Sequence, residues 1–278
     1  MANTPWQQRI RRAEHLAGKH PFAAQILGFY IHIARFQEGL HQSLERRGAG
    51  FSPAIERAFR SVPGQHDAGA TNPLTLPEVL TNFPLFLAVI EQHGPSLLAQ
   101  VAGNLKSAPD GDWSNLLNSC WSGADEPPSS PQEFLAFAFL QPYGELARSR
   151  AQVQLEGYTH PLCPFCSRKP LLAVLRPQGD GGRRSLVCGF CLTEWEFRRI
   201  VCPGCGQEDH AKLPVYTAES FPYIRVECCD ACHTYIKSID LTKNGLAEPL
   251  VDELVSVPLS LWAEERGYSK LHPNLLGM

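Results

Sequence analysis

The sequence predicts an α+β protein in which a helical domain precedes two consecutive cysteine-bearing β modules and a C-terminal helix. Three observations lead to this prediction. Apolar residues recur at helical spacing up to residue 156, short β-like runs alternate with turns from Gly157 onward, and nine of the ten cysteines lie between Cys163 and Cys232. The expected divisions are 1–156 (helical domain), 157–200 and 201–240 (β modules), and 241–278 (C-terminal helix and tail).

The helical domain is predicted from amphipathic spacing and from residues that end helices. Ile26, Tyr30 and Ile33 fall on one face of a long helix. Asp112 is placed to cap the start of the predicted helix that ends at Trp121, and Gly94-Pro95 interrupts the helical stretch Leu76–Leu105. The predicted helices are Trp6–Ala17, Phe22–Arg47, Pro53–Arg60, Leu76–Leu105 in one or two pieces, Asp112–Trp121, Gln132–Gln154 with a kink or split at Pro142, and Glu248–Glu265 with a kink at Pro258.

The region after Gly157 reads as short strands separated by turn residues. Gln178–Gly182 has the composition of a hairpin turn, whereas Ser61–Thr75 is rich in Gly, Pro, Asp and Asn and predicts a loop. The predicted strands are Leu171–Arg176, Arg184–Val187, Glu194–Ile200, Leu213–Thr217, Tyr223–Glu227 and Tyr235–Ile239.

Composition and charge exclude several classes of protein. The chain has 278 residues, 44% of them hydrophobic and 19% charged, which is typical of a globular protein rather than a disordered or collagen-like one. Its polar start lacks the apolar core of a secretory signal, and the apolar stretch Phe22–Phe36, about 15 residues, is too short to span a bilayer. We therefore expect a cytoplasmic protein without membrane insertion. In that reducing compartment, closely spaced cysteines favour metal ligation over disulfides.

Eight of the cysteines form four C-x-x-C pairs with regular spacing. The first two pairs are separated by 21 residues, the last two by 23, and a link of ten residues joins the halves. Two residues between cysteines let a tight turn direct both thiolates at one ion, and two such turns joined by a hairpin complete a tetrahedral shell of four sulfurs. The expected metal ligands are Cys163, Cys166, Cys188, Cys191, Cys202, Cys205, Cys229 and Cys232.

The spacing favours two ions, each held by consecutive pairs. An interleaved arrangement stays open because the ten-residue link is short. A shell of four cysteine sulfurs selects zinc or iron, and it leaves no coordination position for a substrate. Because modules of this size bury little apolar surface, the metals are expected to supply much of their folding free energy.

The remaining cysteines and the nearby histidines are not expected to ligate metal. Cys228 lies outside the C-x-x-C pattern and Cys120 is alone in the helical half, so both are interpreted as spectators. His160, His210 and His233 lie near the pairs, but eight thiolates already complete two shells.

Counting the thiolates changes the electrostatics of the β region. Residues 163–237 contain ten Lys/Arg and eight Asp/Glu. Eight bound thiolates and two divalent ions turn that excess of +2 into −2, and trivalent iron makes it zero. A neutral or acidic region is a poor phosphate binder, so we expect no nucleic-acid partner.

Five segments of the chain form a recognisable set of motifs. They are C-P-F-C at 163–166, C-G-F-C-L-T-E-W at 188–195, C-P-G-C-G at 202–206, E-C-C-D-A-C-H-T-Y-I-K at 227–237 and D-E-L-V-S-V-P-L-S-L-W-A-E-E-R-G-Y at 252–268. Through these segments the chain resembles a known family, the formate dehydrogenase accessory proteins, FdhE. The specific match covers roughly the last 120 residues, and E-F-L-A-F-A-F-L-Q-P-Y at 133–143 looks similar with less specificity.

The resemblance implies a cytoplasmic protein with two rubredoxin-like (zinc-ribbon-like) modules that bind iron, with zinc also compatible. It implies a role in producing active formate dehydrogenase, through binding of that enzyme's catalytic subunit before assembly or export. The family's cysteine pairs correspond to the eight ligands named above. Cys228 departs from the family pattern, so no function carries over to it.

The sequence favours a binding protein over an enzyme. No Ser/His/Asp set, paired acids in a recognisable motif, or glycine-rich phosphate loop is present. Two alternatives stay open, a rubredoxin-like electron carrier and a zinc-ribbon nucleic-acid-binding protein, the second disfavoured by charge. Association of the chain with copies of itself is compatible with this interpretation.

Overall fold

A computed structural model of the chain describes residues 4–46, 77–122, 128–151, 153, 155–179 and 181–274. The predicted helix Pro53–Arg60 and loop Ser61–Thr75 lie outside the described residues. The helices are α1 (Pro5–Lys19), α2 (Ala24–Arg46), α3 (Pro77–His93), α4 (Ser96–Lys106), α5 (Asp110–Ser122), α6 (Pro131–Arg150), α7 (Pro249–Val255) and α8 (Val257–Glu264). The strands are β1 (Pro170–Gln178), β2 (Gly181–Cys188), β3 (Glu194–Glu196), β4 (Val215–Ala218), β5 (Phe221–Cys229), β6 (Thr234–Asp240) and β7 (Ser269–Lys270).

The prediction of a helical N-terminal region followed by a β region is confirmed. Thr4 caps α1 by accepting a hydrogen bond from the Gln7 amide, and Ser130 caps α6 by accepting from the Glu133 amide. The cap predicted at Asp112 is wrong, because α5 begins at Asp110 and places Asp112 inside its first turn.

Helix α6 is the central helix of the N-terminal half. It carries an uninterrupted buried run from Phe134 to Gly144, and it continues through Pro142 rather than splitting there. A helix that is apolar on every side has no solvent face. It packs against α2, α3, α4 and α5, and Phe137 on this helix also contacts Phe190 of the β region.

The two predicted β modules do not form separate sheets. Strands β1 and β2 form one antiparallel hairpin and β5 and β6 form another, and β1 pairs in parallel with β6 through Leu172–Leu175 opposite Lys237–Asp240. The strand order is β3-β2-β1-β6-β5-β4, with β7 also paired to β6. Both cysteine-bearing halves therefore share one seven-stranded sheet. Within that sheet each half keeps its own hairpin, β1 with β2 and β5 with β6.

The helical half and the sheet share a continuous apolar core, and polar contacts also join them. Gln37 on α2 donates to the Ala138 carbonyl and to Gln141, which in turn donates to the Gly189 carbonyl beyond β2. Arg12 on α1 makes two hydrogen bonds to Asp252 on α7. Within the described ranges, no helix combines the length and apolarity needed to cross a membrane.

Candidate metal centres

All four C-x-x-C pairs lie in the same kind of turn. The residue after the second cysteine has a positive φ in each, with values of 58° at Ser167, 54° at Leu192, 76° at Gly206 and 54° at His233. Left-handed backbone is costly for residues other than glycine, so its presence at three such residues marks turns that the surrounding structure enforces. The same turn at every pair indicates that the two halves repeat one structural unit.

Backbone hydrogen bonds close these turns in a repeated pattern. The amide of the first cysteine donates to the carbonyl five residues later, over 2.8 Å from Cys163 to Arg168 and 2.9 Å from Cys202 to Gln207. The amide after the second cysteine donates back to the first cysteine's carbonyl, as from His233 to Cys229 over 2.8 Å. Both bonds hold the two sulfurs of a pair on the same side of the turn.

The turns bring the eight predicted ligands into two groups in the sequential order that the spacing favoured. Within each group the sulfurs lie within 4.8 Å of one another. We call Cys163, Cys166, Cys188 and Cys191 cluster 1. We call Cys202, Cys205, Cys229 and Cys232 cluster 2.

The sulfur separations fit a tetrahedral ion. In cluster 1 the Cys166 sulfur lies 3.4 Å from that of Cys188 and 3.6 Å from that of Cys191. In cluster 2 the Cys202 and Cys232 sulfurs are 3.7 Å apart. A metal–sulfur bond of about 2.3 Å gives a tetrahedral edge of about 3.8 Å, whereas a disulfide requires about 2.05 Å. The donor set therefore fits two metal ions with four sulfurs each, and all ten cysteines are free of disulfides.

Amide and hydroxyl groups surround the sulfurs in matching positions. The amides of Phe190 and Gly204 lie 3.4 and 3.3 Å from the sulfurs of Cys188 and Cys202. The hydroxyls of Thr193 and Thr234 each lie 3.1 Å from the sulfur two residues before them. Such contacts orient metal ligands and tune the charge on the sulfur. The matching Cys-x-Thr sequences were a visible repeat that the sequence analysis did not use.

Cluster 1 is sealed inside the protein at the junction of its two halves. Its four cysteines are at most 2% exposed. Phe190, between Cys188 and Cys191, packs against Trp121 of α5 and Phe137 of α6. A Cβ at Gly144 would lie 2.9 Å from the Phe190 ring, so this position on α6 leaves no room for a side chain.

Arg168 fixes the first turn of cluster 1 to the helical half. Its guanidinium lies 3.9 Å from the centre of the Phe190 ring and donates to the carbonyls of Cys120 and Trp121. Cys120 thus contributes its backbone carbonyl to the junction, consistent with its interpretation as a spectator thiol. Sequence reasoning missed Arg168, since nothing in the spacing shows where its side chain goes.

Cluster 2 lies at the surface. Cys202 and Cys229 are buried, but Cys232 is half-buried and Cys205 is exposed. Although its partial burial opposes ionisation, hydrogen bonds from Thr234 lower the pKa of Cys232 to about 7. Two clusters with the same spacing thus differ in their access to solvent.

The buried thiols of cluster 1 require a cation to become four thiolates together. Burial and hydrogen bonds with neighbouring thiols raise the pKa of Cys188 and Cys191. Burial acts in the same direction on Cys163, but hydrogen bonds from the other three thiols outweigh it and lower that pKa. Metal binding therefore releases protons, and the affinity of the cluster falls as the solution becomes acidic.

The other residues near the pairs stay outside both clusters. Cys228 is 3% exposed, and its pKa is raised to about 12 by burial and nearby acidic groups and thiols. His160 contributes its carbonyl to the Trp195 indole, and neither His210 nor His233 belongs to either group of sulfurs.

Comparisons with known proteins agree with the cysteine motifs. The family model described as FdhE, central domain, matches residues 162–199, and FdhE, C-terminal domain, matches residues 200–276. A protein FdhE homolog from Aquifex aeolicus is 27% identical, covering 96% of this chain and 94% of that protein. A homolog from Pseudomonas aeruginosa is 34% identical over 131 residues, which cover 45% of this chain and 42% of that protein.

A solved structure shares the fold over nearly the whole chain. The crystal structure of the FdhE protein from Pseudomonas aeruginosa superposes with a TM-score of 0.69, covering 99% of this chain and 96% of that one, at 23% identity. The similarity therefore includes the helical half, where the sequence resemblance is weakest.

Proposed function

Because this chain belongs to the FdhE family, the formate dehydrogenase accessory proteins, we propose that it is a cytoplasmic maturation protein that binds the catalytic subunit of formate dehydrogenase before assembly or export. It acts by binding and is not itself an enzyme. The observation that carries the proposal is that both cysteine clusters are closed, with four protein sulfurs each. A closed shell has no open position at which a substrate could be activated.

The eight clustered cysteines are the proposed ligands of two ions in rubredoxin-like centres. Iron is favoured by the family and zinc fits the same geometry, because both accept four sulfurs in a tetrahedron. The turns, the N–H···S contacts and the sulfur separations support this assignment. The ions' chemistry is to bind and neutralise thiolates, while the chain's own residues hold the sulfurs and join the sheet to the helices.

Co-purification with the catalytic subunit tests the proposal. A tagged chain expressed with that subunit should retain it, and a strain lacking the chain should lose formate dehydrogenase activity. Cys229→Ser should weaken both retention and activity. Cys120→Ser is the control, because it changes a half-buried cysteine that lies outside both clusters. A wild-type chain that neither retains the subunit nor restores activity would refute the proposal.

Electron transfer is the second candidate function, and the exposure of cluster 2 favours it. Cys205 is exposed, so an iron bound there would lie near a partner's redox centre. A reversible one-electron couple in the purified protein, with turnover by a partner reductase, would support this function. Zinc in both clusters would eliminate it, because zinc has no redox chemistry.

A further inference from the structure

A cavity of about 150 Å³ lies between the sheet and the link, which we define as residues 192–201 joining the two clusters. Arg199, Ile200 and Val201 of the link line one side, and Leu175 and Ile236 of the sheet line the other. Cys202 and Cys229 of cluster 2 also line it, so the metal-binding turns shape its wall.

The cavity has an apolar floor and an exposed apolar mouth. Leu175, Ile236 and Leu271 are at most 8% exposed, whereas Ile200 and Val215 are 57% and 53% exposed. A cavity of this size is comparable with one that accommodates a benzene ring. It is therefore large enough for one apolar side chain of another molecule.

Of the three arginines that line the cavity, two form ion pairs within the described part of the chain. Arg184 pairs with Glu227 over 2.6 Å, and Arg225 pairs with Asp240 over 2.5 Å. Arg199 is exposed and has no ion-pair partner among the residues that the structure describes. The complementary ligand thus combines an apolar group with a nearby carboxylate.

The edge of the sheet beside the cavity offers backbone hydrogen bonds. Strand β4 ends the strand order and, within the described ranges, pairs only with β5. The Cys228 amide donates to the Pro214 carbonyl. The backbone of Pro214 therefore points toward β5. Because backbone groups of successive residues in an antiparallel strand point to opposite sides, the amides of Val215 and Thr217 point away from β5. An extended segment added to this edge would pass the mouth of the cavity, because Val215 belongs to both.

We propose that the cavity receives an apolar side chain from an extended segment of the formate dehydrogenase catalytic subunit, with an adjacent carboxylate of that segment on Arg199. This inference rests on the proposed function and adds the surface and the chemistry of the partner. Cluster 2 shapes the wall of the cavity, so loss of its ion should also weaken this contact.

Binding of the purified catalytic subunit to the full metal-loaded chain, measured by calorimetry, tests the proposal. Ile200→Asp and Arg199→Glu should each weaken binding about tenfold, the effect expected from losing one apolar contact at the mouth of the cavity or one complementary charge. The matched controls are Leu246→Asp, at an apolar residue that is 85% exposed, and Arg11→Glu, at an exposed arginine on α1. Both controls should bind like the wild type.

A second pair of variants isolates the backbone contact. Thr217→Pro removes an outward amide while β4 keeps its bonds to β5, and Thr217→Ala removes the side chain but keeps the amide. The proline variant should bind more weakly than the alanine variant. Metal content and circular dichroism, unchanged in all variants, show that the fold is intact.

The outcomes separate this inference from the proposed function. If the wild type binds the subunit and the cavity variants bind it equally well, the inference is overturned but the proposed function stands. A wild type that binds no subunit would overturn both. Self-association that Ile200→Asp abolishes, with subunit binding unchanged, would identify a second copy of the chain as the occupant and also overturn it.

Discussion

At the scale of single residues, the two clusters differ through their neighbours rather than through their ligands. Cluster 1 is enclosed by Phe190 and Arg168, whereas Cys205 of cluster 2 faces solvent. The C-x-x-C spacing is nearly the same in both, so the sequence predicted eight equivalent thiols. Burial depends on what packs over a turn, and for cluster 1 that is helix α6, whose Gly144 lies against Phe190.

Arg168 is the residue whose loss should show this difference most clearly. Arg168→Ala removes two hydrogen bonds to backbone carbonyls and the contact with Phe190, and we expect it to cost about 3 kcal/mol in the free energy of unfolding. Arg176→Ala is the matched control, because Arg176 is 45% exposed and pairs with Glu194 at the surface. That loss should cost less than about 1 kcal/mol. Urea denaturation of the metal-loaded proteins measures both, and equal costs would contradict the role assigned to Arg168.

At the scale of elements, short-range pattern predicted most helices and strands, and long-range pairing was missed. Strand β1 was expected at Leu171–Arg176 and spans Pro170–Gln178, because its apolar run and the following turn are local features. The parallel pairing of β1 with β6 joins residues more than 60 positions apart, so no local pattern could show it. The grouping of the eight cysteines into two clusters could be predicted, because the cysteine ligands of one metal ion recur at a characteristic spacing in a sequence.

A buried ion pair attaches β6 to α7. Lys237 lies 2.7 Å from Glu253 and also donates to the Ser256 hydroxyl, and Lys270 is a second partner of Glu253. Burial lowers the pKa of Lys237 to about 8, although Glu253 acts in the opposite direction. The folded protein therefore holds this proton less tightly than the unfolded chain does.

This pKa predicts a stability change at alkaline pH. Between pH 8 and 10.5 the unfolded chain binds more protons at Lys237 than the folded chain does. The free energy of unfolding therefore rises with pH in that window. Below pH 8 both states are protonated and the cost of burying the charge is fully present. Across the whole window the free energy of unfolding should rise by about 3 kcal/mol. Thermal unfolding measured across this pH range should show a rise in the stability of the wild type that Lys237→Met lacks. The same dependence on pH in both proteins would contradict the prediction.

At the scale of the whole molecule, cluster 1 lies where the sheet meets the helical half and cluster 2 lies at the exposed end of the second hairpin. An ion bound in cluster 1 would therefore stabilise both halves together, whereas an ion bound in cluster 2 would stabilise the turns beside the proposed partner surface. This division follows from the pairing of β1 with β6 and from the packing of α6 on cluster 1, neither of which the sequence analysis predicted.

The division predicts that the two ions leave at different rates. A chelator should remove the ion of cluster 2 first, because Cys205 is open to solvent. Release from cluster 1 requires local unfolding and should be slower by on the order of tenfold or more. Stopped-flow absorbance with an excess of chelator would show two phases, and Cys205→Ser should remove the fast one. A single phase of full amplitude in the wild type would contradict the difference between the clusters.

Metal stoichiometry of anaerobically purified protein tests the central claim, two closed four-cysteine centres, most directly. The account predicts two ions per wild-type chain, two in Cys228→Ser, and one each in Cys166→Ser and Cys229→Ser. A red protein with iron absorption would identify the metal as iron, and a colourless one with the same stoichiometry as zinc. Fewer than two ions in the wild type, or two in Cys229→Ser, would contradict the claim.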